Sequence, residues 1–470
     1  MARSSGRAVN ASPRTSDPAI GVPPGEFTHA RSGIHFSIWG DQFTFSRGEL
    51  SGSRRFAFFI GSGAAARSFV WRKDSFLFEA PVTWYAAPQK WDVSPGYEHT
   101  ETLRLARPIE PECLNCHASF LLPVAGTKNG FEAAPFQEGG IACERCHGPG
   151  RNHASIVNPA KLPAMQRDSV CAQCHLTGIE RVERADRSLA AFRAGDDLTA
   201  FAVSFVRAGV DAVHVTSHFE RLWQSRCKRV SGDRLWCGTC HNPHAASPAS
   251  YTEKCLGCHS GSEHATANRG GCIACHMPRI EAADAPYTAF TDHSMPRKPG
   301  APRYAAPGEL RPFWGSGGDR ELGLAYARLA YREKLPGDFE RAFELLLRAN
   351  ADDAPSLTQL ANLYDHFGDE GRANELYRRS YAKDPSQAEV AVNVGAIYAK
   401  EESVDDAIRV WREALLRYPG LEEARVKLAL GLLATGEIAQ ARETLLEFMD
   451  YNPDSPFVRK LLAGLRDAPR

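Results

Sequence analysis

The sequence predicts a multidomain chain in three parts. These are a small β-rich N-terminal region, a central cysteine-rich domain with little regular structure, and a C-terminal all-α solenoid of paired helices. Three observations carry this reading. Short apolar alternations recur between residues 29 and 107, as half-buried strands require. Twelve of the 13 cysteines fall between Cys113 and Cys275 in one repeated pattern. Beyond residue 318 cysteine disappears, Ala, Leu, Glu and Arg dominate, and positions recur with a period of about 34 residues.

Residues 1–28 are rich in Ser, Pro, Arg and Gly and read as a disordered or truncated leader. They hold no apolar core of a secretory signal, and no run of about 18 apolar residues offers a membrane span. From 29 to 107, alternation runs through His35-Phe-Ser-Ile-Trp39, Phe43-Thr-Phe45, Arg55-Phe-Ala-Phe-Phe-Ile60, Ser68-Phe-Val-Trp71, Ser75-Phe-Leu-Phe78 and Val82-Thr-Trp-Tyr85. Gly or Asp turns separate several of these strands, and the rings read as ordinary sheet core.

The central domain, 108–296, carries Cys-x-x-Cys-His six times. The copies are Cys113-Leu-Asn-Cys116-His117, Cys143-Glu-Arg-Cys146-His147, Cys171-Ala-Gln-Cys174-His175, Cys237-Gly-Thr-Cys240-His241, Cys255-Leu-Gly-Cys258-His259 and Cys272-Ile-Ala-Cys275-His276. This is the attachment signature of c-type haem. Two thiols three positions apart can form thioethers to the two vinyl groups of one porphyrin, and the adjacent histidine supplies an axial nitrogen. Zinc ribbons or a thioredoxin-like site also use Cys-x-x-Cys, but neither requires histidine after every second cysteine. The expected cofactor is therefore haem c, six per chain and covalently attached. Such porphyrins serve as their own apolar core, and some of the N-terminal rings are candidates to cover a haem edge. The clearest amphipathic segments here, 188–206 and 214–228, are expected as helices. Cys227, the odd cysteine, is either a free buried thiol or a sulfur in contact with haem.

Each iron needs a second axial ligand, and spare histidines are numerous: His99, His153, His214, His218, His244, His264 and His293. His153 follows a Gly-Pro-Gly turn, His244 a proline turn, His293 adjoins Asp292, and His218 lies on the second amphipathic segment. These four are the candidate distal ligands. Lys+Arg 56 against Asp+Glu 56 gives no net charge, so a basic nucleic-acid-binding surface is not indicated.

Residues 297–318 are rich in Pro and Gly and read as a linker. In 319–470, Ala373, Ala407 and Ala441 are in register, as are Tyr377, Trp411 and Leu445, and Pro385, Pro419 and Pro453 close the units. This resembles the tetratricopeptide repeat, with a looser unit at 322–354 and a capping helix at 455–465. The solenoid is expected to fold on its own core, separable from the haem domain, and to dock a protein partner.

The motifs Cys143-Glu-Arg-Cys146-His147-Gly-Pro-Gly-Arg-Asn-His153, Gln224-Ser-Arg-Cys227 and Cys275-His276-Met-Pro278 resemble the multihaem cytochromes related to cytochrome c554. Ile60-Gly-Ser-Gly63 and Pro81-Val-Thr-Trp-Tyr85 resemble the subgroup fused to tetratricopeptide repeats. The resemblance implies periplasmic electron transfer between histidine-paired haems and a redox partner protein. Members often begin with an export signal and a further haem segment, which this sequence does not show, and His29 is then either a surface histidine or a distal ligand left without its haem. The alternative function is a multihaem oxidoreductase acting on a small nitrogen or sulfur species at one haem with an open distal site.

Overall fold

The computed structural model describes residues 23–149, 156–209, 213–245, 251–259, 271–297 and 307–466. They form two compact units. One runs from Ile141 to Leu329, and the other joins the chain up to Gly140 with Ala330 onward.

The N-terminal alternations become one antiparallel seven-stranded meander in chain order: β1 (Gly25–Thr28), β2 (His35–Trp39), β3 (Gln42–Arg47), β4 (Leu50–Ile60), β5 (Ala66–Lys73), β6 (Phe76–Tyr85) and β7 (Lys90–Val93). Both faces are buried. On one lie Phe36, Phe43, Phe45, Phe56, Phe69, Trp71 and Phe78. On the other, Phe58, Val70 and Leu77 pack against α1 (Pro111–Asn115), β8 (Ala118–Pro123) and β9 (Phe131–Gly139). Leu114, inside the first Cys-x-x-Cys-His motif, is fully enclosed on that second face. The first motif is thus anchored to the sheet by its own intervening residue, and the boundary of its unit falls after Gly140 rather than at 107/108.

The other unit is built from short pieces: α2 (Glu144–His147), α3 (Ala164–His175), β10 (Glu180–Glu183), β11 (Ala202–Arg207), α4 (His218–Gln224), α5 (Arg226–Ser231), α6 (Cys237–Cys240), α7 (Thr252–Leu256), α8 (Gly271–His276), β12 (Arg279–Glu281), β13 (Ala289–Thr291) and β14 (Leu310–Trp314). Two expectations change here. The segment 188–206 is not a helix: it makes two 3-10 turns and then β11. Asp197 turns its side chain back onto the Thr199 amide, and Val203 and Phe205 beyond it favour extended backbone. The linker 297–318 also contributes structure, because Leu310–Trp314 pairs with β11 and buries Leu310. The segment 214–228 is helical but broken, since Ser225 caps α5 by accepting from the Lys228 amide.

The remaining helices are α9 (Asp319–Glu333), α10 (Pro336–Ala349), α11 (Ala354–His366), α12 (Glu370–Lys383), α13 (Ala388–Lys400), α14 (Val404–Arg417), α15 (Glu422–Ala434), α16 (Ile438–Tyr451) and α17 (Pro456–Arg466). The register holds: Ala373, Ala407 and Ala441 are buried at helix crossings, with Tyr377, Trp411 and Leu445 four residues on. A side chain at Gly395 would collide with the Trp411 indole, so the close approach of α13 and α14 requires glycine there.

The repeats do not keep a core to themselves. Ala361, Tyr377, Val390, Val394, Tyr418 and Tyr451 share one apolar cluster with the sheet residues Phe36, Trp71 and Phe78. The joint uses the loops between repeats. Tyr418 donates its hydroxyl to the Ala106 carbonyl (2.8 Å), and the Tyr451 carbonyl accepts from the Leu105 amide (2.7 Å). Asp454 accepts from Arg47 (2.6 Å) and from the Leu103 amide (2.9 Å). The sheet therefore covers one edge of the solenoid, and the expectation of a separable repeat domain gives way to a shared core.

Candidate metal centre

Every Cys-x-x-Cys pair sits on a helix or within two residues of its end, where positions i and i+3 lie on the same side. The twelve sulfurs expected to tether porphyrin are not equally accessible. Cys116 caps the C-terminal end of α1 and is half-buried, as is Cys174 inside the last turn of α3. Cys258 lies two residues beyond α7 and is exposed, as are Cys113, Cys143 and Cys275. None of the 13 cysteines is disulfide-bonded, and Cys227 is half-buried. The Cys171 thiol lies beside that of Cys237, and the Cys255 thiol beside that of Cys272. Pairs from different motifs are thus neighbours in space. Among the described residues, no three or more His, Cys, Asp or Glu side chains converge as a metal-ion cluster of the zinc type would require.

The histidines converge instead in pairs. The Nε2 atoms of His147 and His244 face each other at 3.4 Å, with ring centroids 5.7 Å apart and planes 19° from parallel. Asn242 accepts from the His244 amide and closes the proline turn that swings this ring across. The His147 Nδ1 stands 2.7 Å from the Val157 carbonyl, which can only accept. That fixes Nδ1 as protonated and leaves the Nε2 lone pair aimed at His244. An imidazole nitrogen sits about 2.0–2.1 Å from a first-row metal ion, so two that bound one ion from opposite sides would stand about 4 Å apart. The residues fit such a group: with their Nε2 atoms facing at 3.4 Å, His147 and His244 could hold one metal ion between them after a small opening.

A second group brings together His175 and His241, from the third and fourth motifs, with His218 and His293. His218 lies 5.3 Å from His175 and 5.1 Å from His293 between ring centroids, and His293 lies 6.1 Å from His241. Burial and the neighbouring rings of His175, His293 and His241 push the His218 imidazole down to about 3, and its Nδ1 is enclosed without a hydrogen-bond partner. His218 starts α4, and Phe290 of β13 packs against its ring. Asp292 adjoins His293 in sequence but does not bond its ring. It is taken by a buried bidentate pair with Arg221 (2.8 and 2.9 Å), while the His293 Nδ1 meets the Thr291 carbonyl at 2.8 Å.

Other proximal candidates have local partners that no spacing rule reveals. His276 Nδ1 is 2.9 Å from the Pro296 carbonyl, and His241 Nδ1 is 3.2 Å from the Tyr251 hydroxyl. His117 differs: its Nδ1 is buried without a partner, and burial pushes the ring down to about 4. His259 is exposed beside α7. His29 is buried, with Nδ1 on Ser32 (2.9 Å) and Nε2 on the Glu98 carbonyl (3.2 Å), so both nitrogens are engaged within the sheet unit. His214 is paired with Asp284 at 3.7 Å, and His99 is exposed. His153 and His264 lie outside the described residues.

Residues 86–148 match the family model described as "Cytochrome c554 and c-prime", a stretch that includes the first two motifs. The C-terminal helical region resembles tetratricopeptide-repeat proteins. Two relatives are the "Photosystem I assembly protein Ycf3" of Prochlorococcus marinus, from strains NATL1A and MIT 9211. They are 31% and 32% identical over 118 and 115 residues, covering 20% of this chain and 68% and 66% of the relative. The chain thus spans about two thirds of the length of these relatives. Among solved structures, MamA (AMB-1) aligns over 32% of this chain and 86% of its own at 23% identity, TM-score 0.28. A Pseudomonas aeruginosa PilF structure aligns over 31% and 65% at 25% identity, TM-score 0.26. No helix among the described residues is long and apolar enough to cross a membrane.

Proposed function

We propose, for a chain that belongs through its C-terminal helices to the tetratricopeptide-repeat family, that it is an exported six-haem c-type cytochrome. It passes electrons along mostly bis-histidine haems and docks a redox partner through its repeats. The observation that carries this is the opposed His147–His244 pair, with the His147 Nδ1 proton anchored on a carbonyl and its Nε2 facing the His244 Nε2. The match to the cytochrome c554 model over the first two motifs supports the same reading.

Haem c, when bound, supplies a one-electron iron couple. The chain's residues do the rest. The twelve cysteines tether the porphyrins, and His117, His147, His175, His241, His259 and His276 are the proximal ligands. His244 is the distal ligand opposite His147. His218 and His293 are distal ligands for the third and fourth motifs, and His153 is assigned a distal role from its turn. Carbonyl acceptors on the Nδ1 atoms of His147 and His276 orient those rings and raise their basicity, which favours the oxidised metal and low potentials.

The test is expression of the full chain behind an export signal with haem-maturation machinery. Six haems per chain are expected by pyridine haemochrome assay and intact mass. Two or fewer, with zinc in the purified protein, overturns the reading.

A further inference from the structure

Between the third and fourth motifs lies a buried charged cluster that the thiols and imidazoles do not use. Arg167 and Asp168 of α3 are 9% and 4% exposed, and Lys228 of α5 is 5% exposed. Arg167 Nε donates to Asp168 Oδ1 at 2.9 Å. Lys228 Nζ stands 3.6 Å from Asp168 Oδ2 and donates to the Leu235 carbonyl at 2.8 Å. Each cation also rests on an aromatic face, Arg167 on Trp236 (5.0 Å) and Lys228 on Trp223 (4.1 Å).

The charges do not balance. Two buried cations share one carboxylate, and among the described residues no other carboxylate lies within salt-bridge distance of either. The Arg167 Nη2 is fully enclosed and has no hydrogen-bond partner. Indole faces soften a buried cation but do not neutralise it, and an uncompensated buried charge is strongly destabilising. A buried guanidinium with an unpaired N–H, beside an ammonium, has the chemistry of a carboxylate site.

The surroundings say which carboxylate. Arg167 precedes Cys171 by one helical turn on α3, and Trp236 directly precedes Cys237. The charge of Asp168 is felt by both of those thiols, and that of Lys228 by Cys237. We propose that Arg167, backed by Lys228, is the binding site for a propionate of the porphyrin tethered at the third or fourth motif. This rests on the six-haem reading and deepens it. One propionate brings the cluster to two cations and two carboxylates.

The experiment compares Arg167→Gln, Arg167→Lys and Lys228→Gln holoproteins with the parent, reading haem count, individual reduction potentials and thermal unfolding. Haem count in the parent tests the cofactor reading by itself, since a parent without haem at motifs three and four fails there and not at Arg167. With haem present, Arg167→Gln lowers the potential of one haem, because a positive charge that favoured the reduced iron has gone. It also lowers Tm, by leaving Asp168 and the propionate to share Lys228. Arg167→Lys restores much of both. Repeating Arg167→Gln in a background carrying both Cys171→Ser and Cys174→Ser abolishes the shift if the propionate belongs to the third haem; a retained shift assigns it to the fourth. The proposal is overturned if every potential is unchanged and Arg167→Gln raises Tm, as removal of an unpaired buried charge would. It is equally overturned if millimolar inorganic phosphate shifts the parent's potentials and stability through Arg167, since the site then takes a free anion.

Discussion

At the scale of single residues, the tautomer argument at His147 makes His244 the most exposed to test. Under the proposed six-haem reading, replacing His244 with Ala takes away one axial nitrogen without touching a core. One iron should then become high-spin and bind CO while the rest stay low-spin; EPR of the ferric protein reads this directly. A purely low-spin spectrum would show that His244 only hydrogen-bonds. Away from the histidines, Glu79 of β6 carries a second residue-scale consequence. Burial lifts its carboxyl to about 7 against the pull of Arg107, 3.0 Å away, with Glu98 adding to the rise. The folded state therefore holds a proton that the unfolded chain releases near pH 4.5, and stability falls as pH rises from about 4.5 to 7. The loss is about 1–3 kcal/mol, and Glu79→Gln should flatten that slope in denaturant titrations at successive pH values.

At the scale of elements, the decisive contact is the C-terminal end of α16. The Tyr451 ring lies 5.4 Å from Phe78 and 6.4 Å from Trp71, and Lys73 and Arg425 stand over it. Tyr451→Ala opens a cavity where sheet and repeats meet and should cost about 3–5 kcal/mol. Because the cluster is shared, the strands and the repeats should lose structure in one transition, followed by hydrogen exchange of the strand amides and of the repeat-helix amides. Two separate transitions in the parent protein would contradict the shared core. Much at this scale was legible in advance. The strand at 35–39 followed from alternation, and the paired helices from Ala373, Ala407 and Ala441, whereas the alternations at 75–78 and 82–85 join in the single strand β6. Alternation did not reveal β11, because an apolar run with charged ends suits helix and strand alike until β10 and β14 supply partners.

At the scale of the whole molecule, the described residues fall into two units, with the first motif in one and the other five in the second. Within the five-motif unit, the histidines of the third and fourth motifs share one cluster. Under the six-haem proposal, replacing both Cys171 and Cys174 with Ser should therefore leave five haems and shift the potential of the fourth. Spectroelectrochemical titration measures it, and an unmoved fourth potential would break the coupling. The sequence by itself determined the six Cys-x-x-Cys-His motifs and the repeat architecture, because both are local patterns that helix geometry presents on one side. Only the tertiary structure decided which imidazoles meet, such as His244 with His147 rather than with its own motif. It also decided that Asp292 serves Arg221, that the sheet seals one edge of the repeats, and that Arg167 is buried with an unpaired N–H. Those outcomes depend on side chains far apart in the chain competing for the same burial and the same partners, and no spacing rule records that competition.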